Sequence, residues 1–211
     1  KYPRTLETDI AMLKAAGCDL LFAPEAIEIY PAKSVTTFEF GSLSNTMEGQ
    51  FRPGHFSGVA LVVSKLFHIV EPQHAFFGQK DWQQFTIIKQ LVLDLNFNLT
   101  LHVVPTLRES DGLAMSSRNK RLTEKQRSKA LAFYKALLHC QQQLAAGRLM
   151  TSIQDEIKAT IEQDAELRLE YLHLADRENL SPLNHVEEPN KAVLCIAGFV
   201  GDVRLIDNIL L

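Results

Sequence analysis

Between His74 and Leu95 the hydrophobic pattern changes its period once, and that change constrains the fold more than any other feature of the chain. An apolar run from Ala75 to Phe77 stops at Gly78, and a helical spacing of Phe85, Ile88, Val92 and Leu95 begins just after Asp81. This reads as strand, turn, helix. In an open α/β sheet such a turn lies at the carboxyl ends of the strands, where ligands bind. Lys80 then stands beside a helix N-terminus, and its ammonium and the helix dipole both favour a bound phosphate. Asp81 and Gln84 also match a capping box, which needs no ligand, but the cap does not account for Lys80.

The flanking segments extend the pattern. Residues from about Thr5 to Ala16 read as a helix ending at Gly17, and Asp19 to Ala23 as a buried strand stopped by Pro24. Thr36 to Phe40 alternates as a strand does, and from Gly54 onward Phe56, Val59, Ala60, Val63, Phe67 and Val70 share one helical face. Strands at His74–Gly78 and 98–104 follow, so helix and strand alternate and imply a mostly parallel sheet. After Asn119 the style changes. Thr123 with Gln126 caps a long helix bearing Ala130, Tyr134, Leu137, Gln141 and Leu144 and ending at Gly147; Thr151 with Gln154 opens another. Strands at 167–171, 192–197 and 203–206 complete a small antiparallel α+β region. The expected organisation is a nucleotide-binding domain over residues 1–119 and a C-terminal α+β lid domain over 120–211.

Composition narrows the function. A net charge of −3 argues against a general nucleic-acid binder and for a small partner. The three cysteines, Cys18, Cys140 and Cys195, are widely spaced, which suits buried packing in a reducing compartment rather than a disulfide framework. No run reaches membrane-spanning length and the start lacks signal-peptide order, so the cytoplasm is the expected location. The histidines His55, His68, His74, His102, His139, His173 and His185 are scattered, with no metal-ligand spacing.

A second loop, Pro105-Thr106-Leu107-Arg108-Glu109-Ser110-Asp111-Gly112-Leu113-Ala114-Met115-Ser116-Ser117-Arg118-Asn119, gathers two hydroxyls, two arginines and a glycine. Backbone N–H groups near Gly112, the hydroxyls of Ser116 and Ser117 and the fork of Arg118 suit a triphosphate and the charge that builds on a pyrophosphate leaving group. Taken alone, the loop is also compatible with an ordinary polar turn.

The two loops together, Phe77-Gly78-Gln79-Lys80-Asp81-Trp82-Gln83-Gln84 and the stretch from Pro105 to Asn119, resemble the signatures of the pantoate–β-alanine ligase family. Tyr2 to Glu7, Leu21 to Pro24, Glu48 to Val59 and Gly201 to Asn208 agree with the family in the same order, so the resemblance spans essentially the whole chain. It implies a Rossmann-like parallel sheet of the nucleotidylyltransferase and class I synthetase type. Family members also carry a first βαβ portion with an HIGH-type motif and an upstream pantoate-holding segment; neither occurs in these 211 residues. The sheet is accordingly expected to be N-terminally incomplete, and the 211 residues alone to have little synthetase activity. Gln79 stands where the family usually has Glu, and Trp82 where Tyr or Phe is common.

The resemblance implies an ATP-dependent condensation of pantoate with β-alanine through a pantoyl adenylate, with release of AMP and pyrophosphate. Lys80, Ser116, Ser117 and Arg118 are the catalytic residues it implies. Gly78, Gln79, Asp81, Leu107 and Met115 join them in ATP binding, with Leu107 and Met115 on the adenine side. Gln84 matches the pantoate-binding glutamine, His55 faces substrate, and Arg108 braces the loop. Magnesium is expected to arrive with the nucleotide, with Asp9 and Asp81 the carboxylates within its reach, and no dedicated protein metal site is implied. The same likeness implies a homodimer. Two other readings stay open: a related adenylyltransferase or class I aminoacyl-tRNA synthetase fragment, to which Met115-Ser116-Ser117-Arg118 is comparable, and an inactive fragment that only folds and dimerises.

Overall fold

A computed structural model describes residues 6–188 and 190–211. The chain divides into two units, Lys1–Thr37 and Phe38–Leu211.

In the first unit, α1 (Leu6–Ala15) ends where the glycine requires: Gly17 takes φ +79°, and the Cys18 N–H donates back to the Leu13 carbonyl at 3.0 Å. The expected helix start at Thr5, and the family-like residues Tyr2 to Thr5, lie outside the described residues. Asp19 to Ala23 do not form the expected buried strand. No ladder among the described residues includes them, and Leu20 is 82% exposed; apolar composition makes a strand only where a neighbour supplies N–H and C=O partners. Cys18 is likewise exposed rather than buried. A single turn, α2 (Ala26–Ile29), closes the unit with a Glu25/Glu28 capping box.

The second unit begins with a segment expected to pair as a strand. Phe38 and Phe40 do alternate inward around an exposed Glu39, but the Phe38 N–H is satisfied by the Ser57 hydroxyl at 2.9 Å, with no ladder formed. The short α3 (Met47–Phe51) and the longer α4 (His55–Val70) follow. Next come β1 (His74–Gly78), α5 (Trp82–Asp94) and β2 (Thr100–Val104). The two strands pair in parallel, from His74 opposite Thr100 to Gly78 opposite Val104, and among the described residues they are the whole parallel sheet. Phe67, Ile88 and Leu91 from the two helices pack with Ala75, Phe77 and Leu101 from the strands. On the expected line of α5, Ile88 is fully buried and Phe85 and Val92 pack partly buried against the core, joined by Trp82, Gln83, Thr86 and Ile87; Leu95, past the helix end, is 49% exposed. Val70, at the last position of α4, is 55% exposed.

The remaining elements are α6 (Glu124–Ala145), α7 (Met150–Ile161), β3 (Leu167–Asp176), β4 (Ala192–Val200) and β5 (Val203–Leu210). Thr123 and Gln126 form the expected capping box. The expected Thr151/Gln154 box does not form. Helix α7 starts two residues earlier than that box implies, and Asn184 caps it from a distant loop, its carbonyl and side-chain oxygen accepting from the Met150 and Thr151 N–H groups at 2.7 and 3.0 Å.

The strands β3, β4 and β5 form an antiparallel sheet, longer than its apolar runs suggest, with β4 in the centre. One face packs on α6 and α7 through Leu137, Ile153, Leu172, Leu194 and Ile196. The other packs Tyr171, Val193, Cys195 and Ala197 against Met47 and Trp82. That second contact brings the carboxyl end of the parallel pair up against β5, and the candidate site lies there.

Candidate functional site

Where β1 ends, Gln79–Asp81 makes one 3-10 turn that runs into α5 at Trp82. The turn is held from the far end of the chain. Asn208 donates its side-chain amide to the carbonyls of Gln79 and Lys80, both at 2.9 Å, and its Oδ1 accepts from Gln79 Nε2 at 3.2 Å. The expected cap is absent: Asp81 is the N-cap residue, but its side chain makes no capping bond. Asp81 therefore keeps its carboxylate for the cleft, which it lines with Lys80 and Gln84.

Lys80 is the most informative group. Among the described residues no hydrogen bond or ion pair holds its ammonium, and it borders two adjoining clefts. Burial pulls its pKa below the ordinary lysine value, with Asp81 and Asp207 opposing the shift and Arg118 adding to it. A desolvated cation with no partner leaves the partner's place to an incoming anion.

The second loop is a tight antiparallel excursion. The Met115 N–H donates to the Leu107 carbonyl and the Glu109 N–H to the Leu113 carbonyl, both at 2.9 Å. Gly112 sits at its tip with φ +96°, where an added Cβ would lie 2.6 Å from the Tyr134 ring; only glycine meets both conditions. Arg108 is the brace. Its guanidinium donates to Asp207 at 2.6 and 3.0 Å, to the carbonyls of Gly112 and Asn208 at 3.1 and 3.3 Å, and stacks 4.0 Å from the Tyr134 ring centroid. Leu107 and Met115, joined through their backbones, leave apolar side chains 68% and 51% exposed.

Ser116 caps the 3-10 turn Ser117–Arg121, its hydroxyl accepting from the Arg118 N–H at 3.2 Å. It lines the smaller cleft with Lys80, while Ser117 is exposed. Arg118 reaches back to the Arg204 carbonyl at 3.4 Å and is close enough to lower the pKa values of Lys80, Arg52 and His55.

The main cleft joins residues with an expected role, His55 and Gln84, to others that had none. Arg52, beyond α3, and His55, the first residue of α4, line it with Glu48, Gln84, Tyr171, Asp207 and Asn208. His55 has its pKa lowered by burial and then by Arg52, which favours the neutral imidazole. Gln84 is half-buried, and its amide has no partner among the described residues. Its neighbour Gln83 points the other way and locks α3: it accepts from the Glu48 N–H at 2.9 Å and donates to the Leu43 and Thr46 carbonyls at 2.8 and 2.9 Å.

The structure thus brings Lys80, Asp81, Gln84 and His55 to one cleft and Ser116 to the adjoining one. Arg118 lies within electrostatic reach of both, and Leu107 and Met115 stand at the rim of the loop. Asp9 falls in the other unit. Among the described residues no group of three His, Cys, Asp or Glu side chains is placed to hold a metal ion. Arg52, Asp207 and Asn208 could have been sought as polar residues in segments with no hydrophobic reason for them, but only the fold shows that they meet the lysine turn.

The family model for pantoate-beta-alanine ligase matches residues 1–210. The pantothenate synthetase of Cytophaga hutchinsonii is 43% identical over 212 aligned residues, covering 100% of this chain and 75% of the relative. That of Aquifex aeolicus is 44% identical over 210, covering 99% and 73%. The crystal structure of pantothenate synthetase from Thermus thermophilus superposes with a TM-score of 0.92 at 42% identity, covering 100% of this chain and 76% of that one. A Francisella tularensis pantoate-beta-alanine ligase, complexed with beta-gamma ATP and beta-alanine, superposes with a TM-score of 0.80 at 36% identity, covering 99% and 71%.

Proposed function

Because the chain belongs to the pantoate–beta-alanine ligase family, we propose that the clefts around Lys80 are where its ATP-dependent joining of pantoate to β-alanine takes place. The activity rests on the family; the roles of individual residues are our reading of the site. In the first half-reaction the pantoate carboxylate attacks the α-phosphorus of ATP, forming pantoyl adenylate and expelling pyrophosphate. In the second, the β-alanine amine attacks the acyl carbon of the mixed anhydride, forming the amide and releasing AMP. No covalent bond to the protein is required. The work left to the chain is positioning and charge neutralisation.

Lys80 supplies charge where the phosphates sit, at the N-terminus of α5 and beside the backbone of Gly78 and Gln79. Arg118, with Ser116 and Ser117, takes the leaving pyrophosphate, and the exposed side chains of Leu107 and Met115 offer an apolar surface for adenine. The unpaired amide of Gln84 can donate to the pantoate carboxylate and accept from a hydroxyl. His55, kept neutral, faces the substrate side. Magnesium carried by the nucleotide would meet Asp81, whose carboxylate is not spent on the helix cap. Residues 1–119 hold the nucleotide and 120–211 act as the lid domain. A homodimer and a cytoplasmic setting belong to the same proposal; no described helix is long and apolar enough to cross a membrane.

The single observation that carries this reading is the desolvated, unpartnered ammonium of Lys80. The full-length protein supplied with pantoate, ATP and β-alanine should form AMP and pyrophosphate in step with pantothenate, and pantoyl adenylate when β-alanine is withheld. Formation of ADP and phosphate would contradict it.

A further inference from the structure

Beneath the main cleft lies a buried charge cluster that the reaction as described does not use. Arg204, on β5, is clamped by two carboxylates from different elements. Its Nη1 and Nη2 donate to Glu48 Oε2 and Oε1 at 2.9 and 2.7 Å, its Nε donates to Glu170 Oε2 at 2.8 Å, and its Nη2 also contacts Glu170. All three side chains are nearly sealed: Arg204 is 16% exposed, Glu48 10% and Glu170 9%. The Tyr171 hydroxyl donates to the same Glu48 Oε1 at 3.0 Å. Burial alone would raise the Glu48 pKa, but the hydrogen bonds and charge of Arg204, with Tyr171 and Arg52, outweigh it and hold the carboxyl ionised.

Glu48 and Tyr171 line the cleft directly, and the cluster meets two further arginines beside it. Arg52 stands one helical turn beyond Glu48, its Nη1 3.9 Å from Oε2 and its side chain 40% exposed. Glu48 accepts from Arg204 and Tyr171 and holds Arg52 by charge alone, which leaves the Arg52 fork for a ligand. On the other side, the Arg204 carbonyl accepts from Arg118 at 3.4 Å. The backbone beneath Arg52 is held at two points. Gln83 locks the Glu48 N–H, and Gly49 packs so tightly that an added Cβ would lie 1.9 Å from the Ser44 carbonyl oxygen. A buried ion cluster gives little net stability relative to apolar packing, and a planar fork is what allows one cation to serve two carboxylates from two edges.

We propose that Arg204 is a positioning residue for the anion-binding cleft: pinned between Glu48 and Glu170, it sets the stance of Arg52 through Glu48 and of Arg118 through its own carbonyl, so that both guanidiniums address one bound anion. The proposal deepens the functional reading above and rests on it. Arg204 itself touches no substrate.

The test is a double-mutant cycle in the full-length protein, read by calorimetric affinity for inorganic pyrophosphate and by kcat/KM for ATP. Arg204→Lys and Arg52→Ala should each weaken pyrophosphate binding by about fivefold, and the double variant should fall short of the product of the two losses, because the part of the Arg204 effect that runs through Arg52 is already gone. Multiplying losses, an unaffected Arg204→Lys affinity with only a lower melting temperature, or an Arg52→Ala variant that binds normally would each overturn the proposal. Should Arg204→Lys not fold, Glu170→Gln frees one edge of the fork while leaving the Glu48 pair. It should lower affinity and kcat/KM together, and unchanged values would be the contrary result. A parent protein that binds pyrophosphate but forms no AMP would defeat the functional reading and leave the positioning role standing.

Discussion

Asn208, two residues before the end of β5, donates its side-chain amide to the main-chain carbonyl of Lys80 at 2.9 Å, across 128 residues of sequence. The same amide serves the Gln79 carbonyl, so one side chain sets the height at which the lysine leaves its turn. Asn208→Ala should cost about 1–3 kcal/mol of stability, from two carbonyls left unpaired, and should raise the KM for ATP more than that for pantoate. Thermal melts and initial rates check both; an unchanged ATP KM would mean that the turn holds its shape without the clamp.

Lys80→Met should separate rate from stability. The lysine pKa is lowered on folding, so its charge opposes the folded state at every pH below the folded pKa, and that penalty is relieved as pH rises through it. Removing the charge should therefore hold or raise the melting temperature at neutral pH, while adenylation falls by about a hundredfold or more, as when one oxyanion-stabilising donor is lost. The parent's rate should also begin to fall at a pH below 10.5, the ordinary lysine value. A variant that loses rate and stability in parallel would make Lys80 structural.

Gln84→Ala tests an amide that the helix cap does not claim. Pantoate affinity should drop by about fivefold or more, the worth of a hydrogen bond of roughly 1 kcal/mol, while ATP affinity and melting temperature stay near the parent's values. Equal small losses for both ligands, with a lower melting temperature, would return Gln84 to a capping role.

Glu48→Gln probes the buried cluster through pH. The folded pKa of Glu48 lies below its ordinary value of 4.5, so the carboxylate contributes stability that is complete above that value and is lost as pH falls through the folded pKa. The stability gap between parent and variant should be widest near neutrality and shrink in acid below pH 4.5. A gap independent of pH would show that shape, and not charge, is what Glu48 provides.

The sequence made the lysine turn and the Ser-Ser-Arg loop legible because each is a local event: a change of period at Gly78, and a glycine with hydroxyls and arginines inside one short loop. The capping box at Thr123 and the stop at Gly17 were legible for the same reason. Asp19 to Ala23 and Thr36 to Phe40 misled because an apolar or alternating run records what a strand needs on its faces, not whether a partner lies at its edge. The box read at Thr151 failed because Asn184, distant in sequence, already fills that place. Arg52, Arg204, Asp207 and Asn208 fall in segments that resemble the family, but their roles were not legible, since their meaning lies in contacts that β5 makes with α3 and the lysine turn only after folding.

The most direct test of the account is the fate of an oxygen atom. Pantoate labelled with oxygen-18 in its carboxylate should pass one labelled oxygen to the phosphate of AMP during a turnover with ATP and β-alanine, because the carboxylate oxygen becomes the bridge of the adenylate and stays on phosphorus when the amine attacks. Label in inorganic phosphate with ADP as the co-product, or AMP free of label, would contradict an adenylate formed at this cleft.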